Sequence, residues 1–272
     1  MDNQNNQDIQ IYVAYHIKSE FLTQDPVYLP LHVGKALSLV DLGFRGDNEG
    51  VHISDKNKTF CETTGLYWMW KNTSPKIIGL SHYRRYFQND DLSLCQTIRQ
   101  KMFYLIGTGY KRHGIHYVRN FKKGSELILK GDQIRSLMQE QGYDIILPIE
   151  RILKRNIMEQ YAIRRPKNDL LIVREIIAEQ LPGYLEAFDK VMQGRTIYAC
   201  NMFVMKKESF DRYMTWLFQI LFELEKRVDI TGYSEYHQRI YGFIAERLLK
   251  VWLSGENLRI KELPTLYFKK LF

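Results

Sequence analysis

The chain has 272 residues, of which 45% are hydrophobic, 13% aromatic and 26% charged, with a formal net charge of +8. The aromatic content excludes intrinsic disorder, 17 Gly and 7 Pro exclude a fibrous repeat, and no apolar stretch reaches the ~20 residues that cross a bilayer. Three cysteines at unrelated spacings (Cys61, Cys95 and Cys200) and a polar start unlike a signal peptide predict a reduced, cytosolic protein.

Strands alternate with helices along the chain. Strand Ile9–Tyr15 and a loop-rich stretch over 23–58 precede a helix predicted over Thr59–Asn72, where Thr59-Phe-Cys-Glu62 has the form of a capping box. The later predicted elements are strand 76–80, helix 132–141, strand 143–148, helix 168–180, strand 199–205, helix 209–226 and helix 234–253. This alternation indicates an α/β fold, with a mainly parallel central sheet flanked by helices. We expect a single domain over residues 9–272, behind a flexible N-terminus of residues 1–8.

Positive charge is concentrated in residues 101–135, which hold eight Lys or Arg against Glu126 and Asp132. Aromatic residues interleave with these cations: Phe103, Tyr104, Tyr110, Tyr117 and Phe121. Such a patch indicates an anionic partner, which could be phosphate, anionic lipid headgroups or nucleic acid. A solvated surface excursion is the alternative.

Polar side chains lie at or near the ends of predicted strands. His16 and Lys18 follow the first strand, Ser81-His-Tyr-Arg-Arg85 follows the second, and Asn201 lies in a later one. In open α/β sheets, ligands bind in the crevice beyond the carboxyl ends of the strands. These positions are therefore candidates for a ligand site.

The run over residues 81–85 supplies hydrogen-bond donors for an anion. His82, Arg84 and Arg85 are suited to phosphate oxygens, and arginine binds them in bidentate fashion. A nucleotide diphosphate fits this pattern, while arginines engaged in surface salt bridges are the alternative. The sequence lacks a P-loop, a dinucleotide fingerprint, a nucleophile elbow and zinc-type spacing.

Five acidic residues are candidates for proton transfer: Asp47, Glu62, Asp144, Asp169 and Glu246. Glu62 also completes the capping box. Glu246 lies on a predicted helix that is apolar on both sides, which is typical of a buried helix. Because a buried glutamate needs a partner or a function, pairing with Arg239 or Arg247 and catalytic use are equal alternatives.

A series of specific motifs runs through the chain in order. They are Gly46-Asp-Asn48, Cys61-Glu-Thr-Thr-Gly-Leu-Tyr-Trp-Met-Trp-Lys-Asn72, Gly79-Leu-Ser-His-Tyr-Arg-Arg-Tyr-Phe87, Tyr143-Asp-Ile-Ile-Leu-Pro148, Asn201-Met-Phe-Val-Met-Lys-Lys207 and Arg239-Ile-Tyr-Gly-Phe-Ile-Ala-Glu-Arg-Leu-Leu249. Through these motifs the sequence resembles the DUF4422 family of bacterial glycosyltransferases, found in capsular, exopolysaccharide and O-antigen clusters. The resemblance runs from about residue 9 to residue 268.

The resemblance implies a GT-A-like fold and transfer of a hexose from a UDP-sugar, with a galactosyl unit as the expected hexose. The acceptor would be an oligosaccharide or a lipid-linked glycan in surface polysaccharide synthesis. In GT-A enzymes an Asp-x-Asp metal motif follows the strand matching 76–80, but residues 81–85 contain no carboxylate. We therefore expect cationic side chains to neutralise the leaving diphosphate with no cofactor required, a bound Mn²⁺ or Mg²⁺ being the alternative.

Two segments depart from the family pattern. A basic insertion over about 95–128 would support peripheral contact with the anionic inner membrane face, and changing Lys122 and Lys123 to Glu should weaken liposome binding. Arg164 and Arg165 stand where relatives often carry histidines before the Asp-Leu pair that begins at Asp169.

This interpretation assigns roles to individual residues. The expected donor-binding residues are His16, Lys18, Asp47, Asn48, His82, Tyr83, Arg84, Arg85 and Asn201. The first four would line the uridine and ribose. His82, Arg84 and Arg85 would hold the diphosphate, and Asn201 would face the donor sugar or acceptor. Glu246 is the first choice for the general base and Asp169 the second. The alternative function is a non-catalytic protein that binds nucleic acid or an anionic glycan through its basic patch, with steep salt dependence.

Overall fold

Apolar, β-branched runs form one sheet in the computed structural model, which describes residues 8–89, 94–95, 97–98, 102 and 113–269. The strands are β1 (Ile9–Tyr15), β2 (Tyr28–His32), β3 (Arg45–Gly46), β4 (Ile77–His82), β5 (Arg85–Phe87), β6 (Ile115–Val118), β7 (Ile145–Pro148), β8 (Arg151–Ile152), β9 (Thr196–Ile197), β10 (Phe203–Lys206), β11 (Ile260–Leu263) and β12 (Thr265–Phe268). Strands β8 and β9 pair separately from the main sheet.

Helices cover both faces of the sheet. They are α1 (Asn57–Phe60), α2 (Thr63–Asn72), α3 (Phe121–Ser125), α4 (Gly131–Arg135), α5 (Ile157–Ala162), α6 (Asn168–Gln180), α7 (Leu185–Gln193), α8 (Lys207–Arg227) and α9 (Ile240–Ser254). None of the helices among the described residues combines the length and the apolar character that a membrane span requires. Most of the predicted flexible N-terminus, and residues 96, 99–101 and 103–112 of the predicted basic insertion, lie outside the described residues.

The order of strands in the main sheet is β11-β7-β10-β4-β1-β2-β3. β1 runs parallel to both β2 and β4, with Tyr15 opposite His32 and Ala14 opposite His82. β10 is antiparallel to β4 and β7, while β11 is again parallel to β7. The expected α/β fold with a largely parallel central sheet is confirmed. Its topology brings the carboxyl ends of β1, β2 and β4 to one edge.

Two apolar clusters hold the helices on the sheet. One contains Trp68 and Trp252 on the side of α2, α8 and α9, and the other contains Tyr86 and Phe268 on the opposite side. At the centre, Gly79 lets β10 approach β4, because a Cβ there would lie 2.7 Å from the carbonyl oxygen of Phe203.

The predicted helix 59–72 is broken in the structure. The backbone of Cys61 has φ 53° and ψ −137°, so α1 ends at Phe60 and α2 begins at Thr63. The predicted capping box was wrong, since the Thr59 hydroxyl donates to the Lys56 carbonyl and the Glu62 side chain makes no capping bond. Because of this break, the Glu62 side chain does not cap α2 and instead lies at the carboxyl-end edge of the sheet.

Other boundaries shift for local reasons. The predicted strand 199–205 starts only at Phe203, because Cys200 and Asn201 both adopt positive φ. The helix predicted over 234–253 begins at Ile240, after a 3-10 turn. Helix 168–180 is confirmed with the predicted bounds. Elements that the sequence analysis missed include α7, β6, β11 and β12.

Candidate functional site

A cavity of 560 Å³ opens at the carboxyl-end edge of β1 and β4. It is lined by Ala14, His16, Val33, Asn57, Lys58, Cys61, Glu62, His82, Tyr83, Arg84, Arg85, Cys200, Glu235, Gln238, Arg239 and Glu246. The structure thus brings together six of the predicted residues: His16, His82, Tyr83, Arg84, Arg85 and Glu246. No site role was predicted for Lys58 or Glu235, and the roles predicted for Glu62 and Arg239 were mainly structural.

One wall of the cavity is cationic. The Arg84 guanidinium lies 4.9 Å from the ring centre of Tyr83, and that of Arg85 lies 5.3 Å from the ring centre of Tyr267. Within the described residues, the Nε atoms of both arginines are buried without a hydrogen-bond partner. Arg239 joins them from the start of α9 and donates from Nε to the Cys61 sulfur at 3.1 Å. Guanidinium groups held in this way present fixed donors to an anion.

The positive charge of this wall affects the pKa of a neighbouring histidine. Desolvation within the cavity, followed by the charges of Arg239, Arg84 and Arg85, lowers the pKa of His16. The imidazole also packs edge-on against Tyr83, with ring centres 5.3 Å apart. A neutral His16 can therefore accept or donate a hydrogen bond beside the arginines without adding a charge.

Another part of the cavity is built around a turn at Cys200 and Asn201. Their φ angles are 75° and 49°, which are uncommon for residues with a side chain and cost of order 1–3 kcal/mol each. Glu246 Oε1 accepts from the Cys200 backbone N–H at 2.9 Å, and the Asn201 side-chain amide donates to Glu62 Oε1 at 2.8 Å. Strained backbone held by several side chains is typical of a functional site.

His82 fixes the same turn from β4. Its Nε2 contacts the Cys200 carbonyl at 2.5 Å, so Nε2 carries the proton and donates. Burial, followed by the charge of Arg85, lowers the pKa of His82 to about 4. His82 is thus neutral near pH 7 and holds the turn as a hydrogen-bond donor.

Glu62 is the carboxyl group that the break after α1 brings into the cavity. Burial raises its pKa, against the opposing effect of the hydrogen bond from Asn201. Asn201 is itself buried, and its Oδ1 has no hydrogen-bond partner among the described residues. Asn201 therefore lies behind Glu62 and orients it, rather than forming part of the cavity lining.

Asp47 lies outside the cavity and organises the loop beside it. The side chain is fully buried, and its oxygens accept hydrogen bonds from the backbone N–H groups of Gly34 and Lys35 and from the hydroxyls of Ser54 and Thr64. These four bonds occupy both carboxylate oxygens with groups of the protein itself. The predicted contact of Asp47 with a ribose remains a prediction, and the geometry supports a positioning role.

Two further predicted donor ligands, Lys18 and Asn48, are exposed and lie outside the cavity lining. Asp169, the second choice for the base, is also outside it. Both of its oxygens accept from phenols, Oδ2 from Tyr161 and Oδ1 from Tyr233, each at 2.7 Å. Desolvation raises the pKa of Asp169. Its bond to Tyr233 anchors the segment that carries Glu235, Gln238 and Arg239 to the cavity.

A family model described as a domain of unknown function (DUF4422) matches residues 10–257. The chain belongs to the DUF4422 family. No curated protein matches it. A solved structure described as the apo structure of the WbbM bifunctional glycosyltransferase is similar, with 29% identity and a TM-score of 0.82. The match covers 97% of the present chain and 46% of the WbbM chain, so this DUF4422 chain spans about half the length of that protein.

The Trp-x-Trp-Lys-Asn run of this DUF4422 chain has a structural role. Trp68 donates from its indole nitrogen to the Glu49 carbonyl at 2.9 Å. Asn72 exchanges two hydrogen bonds with the backbone of Val51, at 3.0 and 2.8 Å. These contacts hold the loop that carries Asp47 against α2. The motif that most clearly identifies the family therefore lies behind the cavity and supports one of its sides.

The residues that follow β4 do not fit a divalent metal ion of the kind that GT-A enzymes bind there. Arg84 and Arg85 are cationic, and the proton on His82 Nε2 is used in the bond to Cys200. In the described part of the chain, no three His, Cys, Asp or Glu side chains are grouped as metal ligands. Hard cations require several oxygen ligands, whereas this donor set suits an anion.

Proposed function

We propose that the chain is a glycosyltransferase that moves a hexose from a UDP-sugar to an oligosaccharide or lipid-linked acceptor in bacterial surface polysaccharide synthesis. The observation that carries this proposal is the cavity at the carboxyl ends of β1 and β4, whose lining combines the cations Arg84, Arg85 and Arg239 with the carboxylates Glu62 and Glu246. The similarity to a bifunctional glycosyltransferase over nearly the whole chain supports it. A nucleotide diphosphate needs cations in such a site, and a sugar needs hydrogen-bonding groups.

The arginines stabilise the diphosphate leaving group. As the bond from the sugar to the diphosphate breaks, negative charge develops on the phosphate oxygen. Arg84, Arg85 and Arg239 line the cavity in which that charge would form, and guanidinium donors held in position stabilise it without reorganisation. This assigns to side chains the charge neutralisation that a divalent ion supplies in other enzymes. No metal cofactor is required in this proposal.

We assign the acceptance of the proton from the acceptor hydroxyl to one of two carboxylates. Glu246 and Glu62 both line the cavity, and each uses one oxygen to hold the Cys200–Asn201 turn. In the transfer, the acceptor oxygen bonds to the anomeric carbon, its proton passes to the carboxylate, and the bond to the diphosphate breaks. Glu246 stays the first choice from the sequence. Glu62 replaces Asp169 as the second, because Asp169 does not reach the cavity.

Calorimetric titration with UDP tests the donor site. We expect UDP to bind equally well in EDTA and in Mn²⁺, and binding to weaken in the double variant Arg84→Ala, Arg85→Ala. Binding only with Mn²⁺ would retain the transferase and overturn the cationic diphosphate site. Failure of UDP and of other nucleotides to bind would favour the binding-protein alternative.

Paired variants test the base. Glu246→Gln and Glu62→Gln keep the shape and the hydrogen-bond acceptor that contact the turn, so both should bind UDP normally. The variant that removes the base should lower turnover of a UDP-sugar by roughly 10²–10⁴-fold and abolish the acidic limb of the pH–rate profile. The other variant should retain that limb. Near-normal turnover in both would show that neither carboxylate takes the proton.

A further inference from the structure

A second concentration of positive charge lies in the 17 residues of segment 151–167, separate in the sequence from the basic run over 101–135. It holds six cationic residues against the single acid Glu159: Arg151, Lys154, Arg155, Arg164, Arg165 and Lys167. Arg155, Arg164 and Lys167 are exposed. None of these three forms an ion pair with an acidic side chain in the part of the chain that the structure describes. Their charges are available to an external anion.

Exposed aliphatic side chains lie among these cations. Ile163, directly after α5, is 58% exposed, and Leu171, one helical turn beyond Lys167 on α6, is 39% exposed. Cations that flank exposed aliphatic groups match the interface of an anionic bilayer, where headgroups meet the cations and the acyl boundary accepts the aliphatic groups. A surface that binds single-stranded nucleic acid relies on aromatic stacking platforms instead.

This surface adjoins the mouth of the cavity. Arg165 donates from Nη2 to the Tyr236 hydroxyl at 3.1 Å, and its guanidinium lies 3.6 Å from the ring centre of Phe243. Tyr236 is 45% exposed and is adjacent in sequence to Glu235, which lines the cavity. A partly exposed tyrosine is suited to the boundary between water and lipid. A bilayer on this surface would lie next to the cavity opening.

We propose that Arg155, Ile163, Arg164, Lys167 and Leu171 form a docking surface that binds an anionic lipid bilayer. The cations provide attraction to the headgroups, and the two aliphatic side chains enter the boundary with the acyl chains. This assigns membrane contact to residues other than those of the basic segment over 101–135. It does not depend on the transfer reaction, and a protein with no transferase activity could still dock in this way.

Vesicle sedimentation tests the charge component. The full chain is mixed with vesicles of phosphatidylglycerol and phosphatidylcholine, and with vesicles of phosphatidylcholine alone. Arg164→Glu with Lys167→Glu should lower the partition coefficient on the anionic vesicles on the order of 30-fold or more, because the two lost cations each contribute roughly fivefold and the two new carboxylates are repelled by the headgroups. The matched control, Lys122→Glu with Lys123→Glu on exposed positions of α3, changes the net charge equally. It should lower the coefficient by far less.

The aliphatic component has its own variant. Ile163→Ser with Leu171→Ser leaves the net charge unchanged and should remove the part of vesicle binding that persists at high salt, where charge attraction is screened. Thermal unfolding of every variant shows whether the fold is intact. Equal losses in the two charge variants would overturn the docking surface in favour of general electrostatic attraction. Absence of vesicle binding by the unmodified chain, or binding of heparin or RNA alone, would overturn it as well.

Discussion

Asp169 gives the sharpest test of whether a buried carboxylate anchors the site or reacts within it. The side chain is 1% exposed and accepts hydrogen bonds from the Tyr161 and Tyr233 hydroxyls. A hydrogen bond to a charged group contributes roughly 1.5–3 kcal/mol. Because the carboxylate also carries a desolvation cost, we take the lower value for each bond and expect Asp169→Ala to lower the free energy of unfolding by about 3 kcal/mol.

Thermal and urea unfolding of the Asp169 variants measure this loss. For a chain of this size, about 3 kcal/mol corresponds to a decrease in Tm of roughly 6–12 °C. Tyr233→Phe removes one of the two bonds to Asp169, the one on the more exposed side. It should therefore lower the free energy of unfolding by about half as much. Asp169→Asn retains an acceptor for one phenol and should be intermediate. UDP affinity should fall several-fold in Asp169→Ala, because the segment from Tyr233 to Arg239 loses its anchor.

A particular combination of results would refute this reasoning. If Asp169→Ala unfolded at the same temperature as the unmodified chain and bound UDP normally, yet lost turnover, Asp169 would act chemically and the anchoring role would be wrong. Tyr233→Phe serves as the control, since it removes the anchor from the loop side and leaves the carboxylate in place. Under the anchoring interpretation, the two variants change UDP affinity in the same direction.

Single substitutions at His82, Gly242 and Arg85 test the cavity and the residues that support it. The pKa of His82 falls from 6.5 to about 4 on folding, so the unfolded chain binds the proton first and stability decreases by roughly 3 kcal/mol as pH falls from about 6.5 to 4. Urea unfolding of His82→Asn across this range should lack that slope, and equal slopes would contradict the assignment. Gly242→Ala should lower the free energy of unfolding by about 1–3 kcal/mol in chemical denaturation, because the new Cβ would lie 2.9 Å from Cys61 Cβ. An unchanged denaturation midpoint would show that the backbone at Cys61 shifts to make room for the methyl group. Arg85→Lys keeps the charge but loses the planar fork, so UDP affinity should fall about tenfold by calorimetry, whereas retained affinity would indicate a simple charge effect.

The sequence was sufficient to predict four strands of the main sheet (β1, β4, β7 and β10) and one half of the site. Apolar runs such as Ile9–Tyr15 identify strands because burial on both faces requires continuous hydrophobic residues. Residues 81–85 then follow a strand directly, so their position in the cavity was predictable from their sequence position. His16 was predictable for the same reason.

The other half of the site depends on tertiary structure. Glu62 looked like a capping residue because the break at Cys61 is stabilised by distant groups, including Arg239 and the close approach of Gly242. Asp47 and Asp169 are polar residues in family motifs, but their hydrogen-bond partners are set by loops that no local pattern defines. Buried structural carboxylates and catalytic carboxylates have the same appearance in a single sequence, and only the partners distinguish them.

The Cys200–Asn201 turn has a consequence for how the protein can be divided. Three side chains support the turn: Glu246 on α9, His82 on β4 and Glu62 at the junction after α1. No contiguous fragment that lacks the last quarter of the chain contains all three. A nascent chain therefore gains its site only after the segment with Glu246 has been synthesised and packed. For the same reason, two fragments divided between residues 82 and 200 should be inactive alone and regain the site only when they associate.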